Sequence, residues 1–111
     1  MIWCLTGSRD LTDRDFIYQA LDKRKERISK IIVGDADGVD ALVIAWCVKN
    51  DIPFEVYYRR YESKSAYKRN GRLAKDCDIT LALYSGNTRG TNNTVYQVAY
   101  LNKIVEYEYY E

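Results

Sequence analysis

Residues Ile31-Ile32-Val33 form a β-branched run with no polar break, and Val39 to Val48 is a mostly apolar stretch free of glycine and proline. The first pattern predicts a strand buried on both faces and the second a helix packed on it. Between them lies Gly34-Asp35-Ala36-Asp37-Gly38-Val39-Asp40, with two glycines and three aspartates. Glycine lets the backbone turn tightly and lets a ligand approach the main chain, while the first turn of the new helix presents unpaired N–H groups. That geometry suits an anion. Three carboxylates would repel a bare phosphate, so the aspartates read either as helix caps or as acceptors for ribose hydroxyls and base N–H groups.

The same alternation runs through the chain. Ile2 to Leu5 predicts a buried strand ending in Thr6-Gly7-Ser8-Arg9. Thr12 and Asp15 resemble a capping box, and Phe16, Ile17, Ala20, Leu21 and Ile28 recur at helical spacing. The charges from Lys23 to Arg27 read as a solvated helix face. Pro53 precedes a third strand, Phe54 to Tyr58, and a polar loop leads to a third helix from about Ser65 to Lys75, bent near Gly71. A fourth strand, Ile79 to Leu83, ends in Tyr84 to Thr91, and a fourth helix runs from about Asn92 to Leu101. Ile104 to Tyr110 alternates and carries Glu106 and Glu108, which predicts a last strand at an exposed sheet edge.

Strand–helix alternation of this kind predicts an α/β fold, a Rossmann-like parallel sheet of about five strands with helices on both faces. Ligands of such sheets bind beyond the carboxyl ends of the strands, where strand order reverses. Should the first, second and fourth strands be central neighbours, the loops Thr6 to Arg9, Gly34 to Asp40 and Ser85 to Thr91 meet in one crevice.

At 111 residues the chain reads as a single domain over 1–111, and a net charge of +1 offers no general field for a nucleic-acid backbone. No apolar run reaches the ~18 residues of a membrane span, and Met1 leads directly into a strand, so a cytoplasmic protein is expected. Cys4, Cys47 and Cys77 have apolar neighbours and no paired spacing, which predicts buried thiols. With no histidine and no Cys-x-x-Cys, neither a metal site nor a cofactor is expected.

Taken together, Gly7-Ser8-Arg9, Gly34-Asp35-Ala36-Asp37-Gly38-Val39-Asp40, Ala45-Trp46, Arg69-Asn70 and Thr88-Arg89-Gly90-Thr91 resemble the SLOG superfamily, which includes the DprA-like and LOG-like Rossmannoid domains. The likeness is to short members with a Gly-Ser-Arg opening. It implies a domain that binds nucleotides or nucleotide-derived small molecules. The LOG-like relatives hydrolyse the N-glycosidic bond of nucleoside monophosphates through the glutamate of a Pro-Gly-Gly-x-Gly-Thr-x-x-Glu motif. Here Thr94 stands in that place with no Pro-Gly-Gly before it. A threonine cannot stabilise an oxocarbenium-like centre or activate water as a carboxylate does, and no catalytic residue is assigned.

The expected binding residues are Gly7, Ser8, Arg9, Gly34, Asp35, Ala36, Asp37, Gly38, Asp40, Arg69, Asn70, Ser85, Gly86, Arg89, Gly90, Thr91 and Thr94. Arg9, Arg69 and Arg89 supply guanidinium groups for phosphate, and Ser8, Ser85, Thr91 and Thr94 supply hydroxyls. Asp37 and Asp40 serve ribose or fix the loop, and Asn70 holds a loop across the pocket. One of Tyr57, Tyr58, Tyr67 or Tyr84 could stack on a base.

The leading expectation is a binder that does not turn its ligand over. It would act as a sensor or as a sponge for a signalling nucleotide of ADP-ribose-like or cyclic type, such as a phage anti-defence protein. The alternative is a phosphoribohydrolase in which Asp35, Asp37 or Asp40 replaces the glutamate. A third reading is a nucleic-acid or protein-binding module built on Arg59-Arg60-Tyr61 and Lys64 to Arg72. Self-association is expected, with Tyr107, Tyr109 and Tyr110 at the contact.

Overall fold

A computed structural model describes residues 1–35, 38–59, 65–86 and 89–110. The apolar runs form five strands: β1 (Ile2–Gly7), β2 (Lys30–Val33), β3 (Phe54–Val56), β4 (Ile79–Tyr84) and β5 (Ile104–Tyr109). All are parallel, in the order β3-β2-β1-β4-β5. Four helices connect them: α1 (Arg14–Asp22), α2 (Val39–Asn50), α3 (Ser65–Asp76) and α4 (Arg89–Tyr100). The chain therefore has the Rossmann-like α/β architecture that its alternation predicts. β1 is central, with β2 and β4 on either side, so the three ligand-type loops do lie together.

Strand order runs one way from β1 to β3 and reverses at β4. Right-handed crossovers then send α1 and α2 to one face and α3 and α4 to the other. The buried residues separate accordingly. Trp3, Leu5, Ile31, Val33, Ile79, Leu81 and Leu83 join Ile17, Leu21, Val43 and Trp46 in the larger core under α1 and α2. Cys4 and Ile32 meet Leu73, Ala74, Cys77 and Val98 under α3 and α4. All three thiols are buried and unpaired, as their neighbours in sequence suggest. Both tryptophans satisfy their ring N–H: Trp46 donates to Asp22 Oδ1 at 2.9 Å and Trp3 to the Arg27 carbonyl at 3.2 Å.

Several local expectations are corrected. The N-cap of α1 is Asp13, not Thr12; its carboxylate accepts from the Phe16 N–H at 3.0 Å. The helix stops at Asp22 and a 3-10 turn follows at Lys25–Arg27, so Lys23 to Arg27 is not a solvated helix face. Arg24 is buried, and Lys23, Arg24 and Arg27 pair with Glu106 and Glu108 of β5. The β5 glutamates are thus held against the α1 side and do not simply face water. α3 runs unbroken through Gly71, and α4 begins at Arg89, three residues before the expected start. β3 ends at Val56, short of Tyr58. No helix among the described residues is long and apolar enough to cross a membrane.

Candidate functional site

The end of β1, the start of α2, the first half of α3 and the first two turns of α4 enclose a cleft of about 330 Å³. β1 contributes Thr6, Gly7, Ser8 and Arg9, and α2 contributes Asp40. α3 faces them with Ala66, Tyr67, Arg69 and Asn70, and α4 closes the end with Arg89, Gly90, Thr91 and Thr94. The site lies at the reversal point of the sheet, where the fold class places ligands.

The loops are locked to one another before any ligand arrives. Ser8 is buried; its hydroxyl donates to the Ser85 carbonyl at 2.5 Å and accepts from the Ser85 N–H at 3.2 Å. It ties the β1 loop to the β4 loop. Gly38 has φ +74°, and a Cβ there would lie 2.3 Å from the Arg9 carbonyl oxygen. Only glycine satisfies both the left-handed backbone and the contact. At Gly34 a Cβ would lie 2.9 Å from the Arg69 guanidinium carbon. These glycines let loop and side chain approach closely, and neither lines the cleft.

Arg69 is the hub of the α3 wall. It is buried, forms an ion pair with Asp35, and donates to Asn70 Oδ1 from Nη2 at 3.1 Å. Asp35 also accepts from the Arg59 N–H at 3.4 Å. Burial pushes the Asp35 carboxyl up, but the Arg69 and Arg59 hydrogen bonds and the Arg69 charge outweigh it and hold it below its ordinary range. Asp35 therefore neither caps α2, which has no side-chain cap, nor lines the cleft. Asn70 passes the network on, donating to Asn93 Oδ1 at 3.0 Å. Gln97 donates to the same oxygen at 2.9 Å and to the Tyr67 carbonyl at 3.0 Å. Asn70 thus holds α3 to α4 across the back of the cleft.

Thr91 and Thr94 are both buried in α4 beside the cleft. Thr94 Oγ1 donates to the Gly90 carbonyl at 3.3 Å. Thr91 Oγ1 has no hydrogen-bond partner among the described residues. Buried hydroxyls are rarely left unpaired, because desolvation without a bond costs about 1–3 kcal/mol. This one sits in the first turn of a helix, whose N–H groups lack intrahelical acceptors and carry the positive end of the helix dipole.

Of the expected binding residues, Gly7, Ser8, Arg9, Asp40, Arg69, Asn70, Arg89, Gly90, Thr91 and Thr94 line the cleft. Gly34, Asp35, Gly38, Ser85 and Gly86 are not in its lining and make packing or loop contacts instead. Ala36 and Asp37 lie outside the described residues, as do Arg60, Tyr61 and Lys64 of the basic-aromatic surface and Thr88 of the family motif. Sequence reasoning missed Thr6, Ala66, Asn93 and Gln97. Asn93 and Gln97 are four residues apart on one helix, a spacing that places two amides side by side. Tyr67 lines the cleft; Tyr57 and Tyr58 do not. Among the described residues no group of three or more metal-binding side chains forms.

Residues 4–61, from β1 through β3 and including two of the three loops, match the family described as YspA, cpYpsA-related SLOG. The chain belongs to that SLOG family. No curated protein and no solved structure matches it. SLOG membership suggests a nucleotide-related ligand-binding role, and the cleft of this SLOG domain has the parts for one: two exposed arginines at Arg9 and Arg89, a helix N-terminus, and polar groups on the facing wall.

Proposed function

We propose that this SLOG protein binds a nucleotide or nucleotide-derived signalling molecule in the cleft and releases it unchanged, as a sensor or as a sequestering protein. The observation that carries the reading is the buried Thr91 hydroxyl at the head of α4, without a partner among the described residues, beside Gly90 and in the same cleft as Arg9 and Arg89. A phosphate oxygen there accepts from the hydroxyl and from first-turn N–H groups, and guanidinium groups neutralise its charge. Tyr67 and Asn70 on the facing wall suit a base or ribose. A protein that holds such a ligand without consuming it can blunt a nucleotide signal, which is the role of a phage anti-defence sponge.

Turnover is disfavoured by chemistry at the α4 wall. Thr94 occupies the place of the LOG-like glutamate, and its hydroxyl is engaged with Gly90. The second reading, N-glycoside hydrolysis, rests on Asp40, which supplies a carboxylate to the cleft lining.

The test is incubation with a panel of nucleotides that includes ADP-ribose and cyclic species, followed by heat release and mass spectrometry of the bound material. Intact ligand is the expected result. Recovery of free base plus ribose phosphate, abolished by Asp40→Asn, would establish the hydrolase instead. No binding to any member at micromolar concentration would overturn both.

A further inference from the structure

We propose that the outer face of α3 and α4 is a homodimer interface, formed by two copies of this chain about a twofold axis. The inference does not depend on the identity of the cleft ligand.

The two faces of the molecule are unlike. On the α1 and α2 side the exposed large apolar residues are Val48 and the edge-strand residues Phe54 and Ile104, which pair with Ile31 and Ile79 of that core. On the other face Tyr96 is 69% exposed, Tyr100 76% and Leu101 45%. β5 adds Tyr107 and Tyr109 to the same side, because they pair with Ala82 and Tyr84, the alternate positions of β4 that face α3 and α4. The Tyr107 and Tyr109 rings stack with Tyr84, apart from the Tyr96–Tyr100 pair that α4 itself carries. Each aromatic side chain offers roughly 150–250 Å², so Tyr96 and Tyr100 alone leave on the order of 300 Å² uncovered. That is over a third of the ~800 Å² per partner in a stable interface. Leu101 and the polar residues between the rings extend the patch.

Charge points the same way. Residues 90–102 contain no charged side chain, in a chain that is 30% charged. Nearby Lys103 turns inward, its ammonium donating to the carbonyls of Ala74, Lys75 and Cys77 at 2.7–2.8 Å. Tyrosine enrichment with charge depletion is the composition of an interface core. α3 brings exposed Lys68 and Lys75 to the same side, so the charge-free stretch is that of α4 alone.

Shape selects a second copy as the occupant. A groove of about 710 Å³ lies between the helices, with Gly71, Ala74 and Lys75 on one side and Tyr96, Tyr100 and Leu101 on the other. The Tyr96 and Tyr100 rings stack at 6.5 Å and project together. One face therefore carries both a ridge and the slot beside it. A twofold axis places each copy's ridge against the other's slot, the self-complementarity of an isologous contact.

The experiment is sedimentation of the full chain from low to high micromolar concentration, beside the double variant Tyr96→Arg/Tyr100→Arg. Both positions are exposed and arginine is a good helix former, so circular dichroism should be unchanged. The expected result is a species of twice 13.0 kDa, with association weakened at least about a hundredfold in the variant. A chain that is monomeric at every concentration overturns the proposal. So does a dimer that the double variant leaves intact, including one broken by Tyr107→Arg/Tyr109→Arg, which would place the contact at the β5 edge.

Discussion

Thr91 illustrates how one residue separates stability from binding. Its hydroxyl is buried without a partner among the described residues, a cost to the fold that a methyl group would not carry. Thr91→Val keeps the shape and removes the orphan. The expected outcome is a variant whose unliganded stability is equal or higher by about 1 kcal/mol, because an unsatisfied group has been deleted. Nucleotide affinity should fall about tenfold, the loss of one charge-assisted hydrogen bond. Denaturant unfolding and ligand titration of the same preparation check both halves. Loss of stability without loss of affinity would show that the hydroxyl belongs to the fold and not to the site. Arg69 shows the opposite case: its guanidinium is committed to Asp35 and Asn70, so it shapes the α3 wall that the ligand meets.

At the scale of elements, β5 depends on charges from the other end of the chain. Arg24 reaches Glu106 at 2.7 Å and Glu108 at 3.5 Å, and Arg27 reaches Glu106 at 2.6 Å. Hydrogen bonding from Arg27 and Arg24 holds the Glu106 carboxyl below its ordinary range against the opposing effect of burial. A carboxyl whose folded pKa is depressed stabilises the fold above its unfolded pKa, near 4.5 here, and the contribution disappears as pH falls through the lower folded value. Glu106→Gln should therefore be less stable than the parent at neutral pH and approach it below about pH 4. Asp13 and Asp35, also depressed, leave a residual acid dependence in the variant. Arg24→Ala should cost about 2 kcal/mol, since a largely buried donor to two glutamates is lost. Guanidinium denaturation at several pH values measures both. These pairings mark where sequence legibility ends. The apolar runs and the Gly-Asp turn declare strands, helices and loops, because hydrophobic period is a local property. The partners of Arg24 lie more than eighty residues away, and nothing local distinguishes a lysine-arginine run on a free helix face from one clasping an edge strand. Asp35 was legible as a turn residue beside a site, but its bond to Arg69 required the fold. Thr91 was legible as a candidate donor, and its orphaned hydroxyl became visible only once α4 was known to begin at Arg89.

For the molecule as a whole, the cleft and the α3–α4 face share two helices yet respond to different solutes, so heat denaturation can tell them apart. Anything that binds the folded state alone raises its stability by mass action, about 2.7 kcal/mol at a hundredfold excess over Kd. In a domain of this size that raises Tm by about 10 °C. The nucleotide recovered from the panel should produce such a shift at fixed protein concentration. Dimerisation should make Tm rise with protein concentration in the absence of ligand, because unfolding then also dissociates two chains. The variants cross these effects. Tyr96→Arg/Tyr100→Arg should abolish the concentration dependence and keep the ligand shift. Thr91→Val should keep the concentration dependence and reduce the ligand shift. A ligand shift lost in both would mean that the site is incomplete without the second copy. The Asn70–Asn93–Gln97 chain supplies a physical route for that dependence, since Asn70 lines the cleft while Asn93 and Gln97 line the groove.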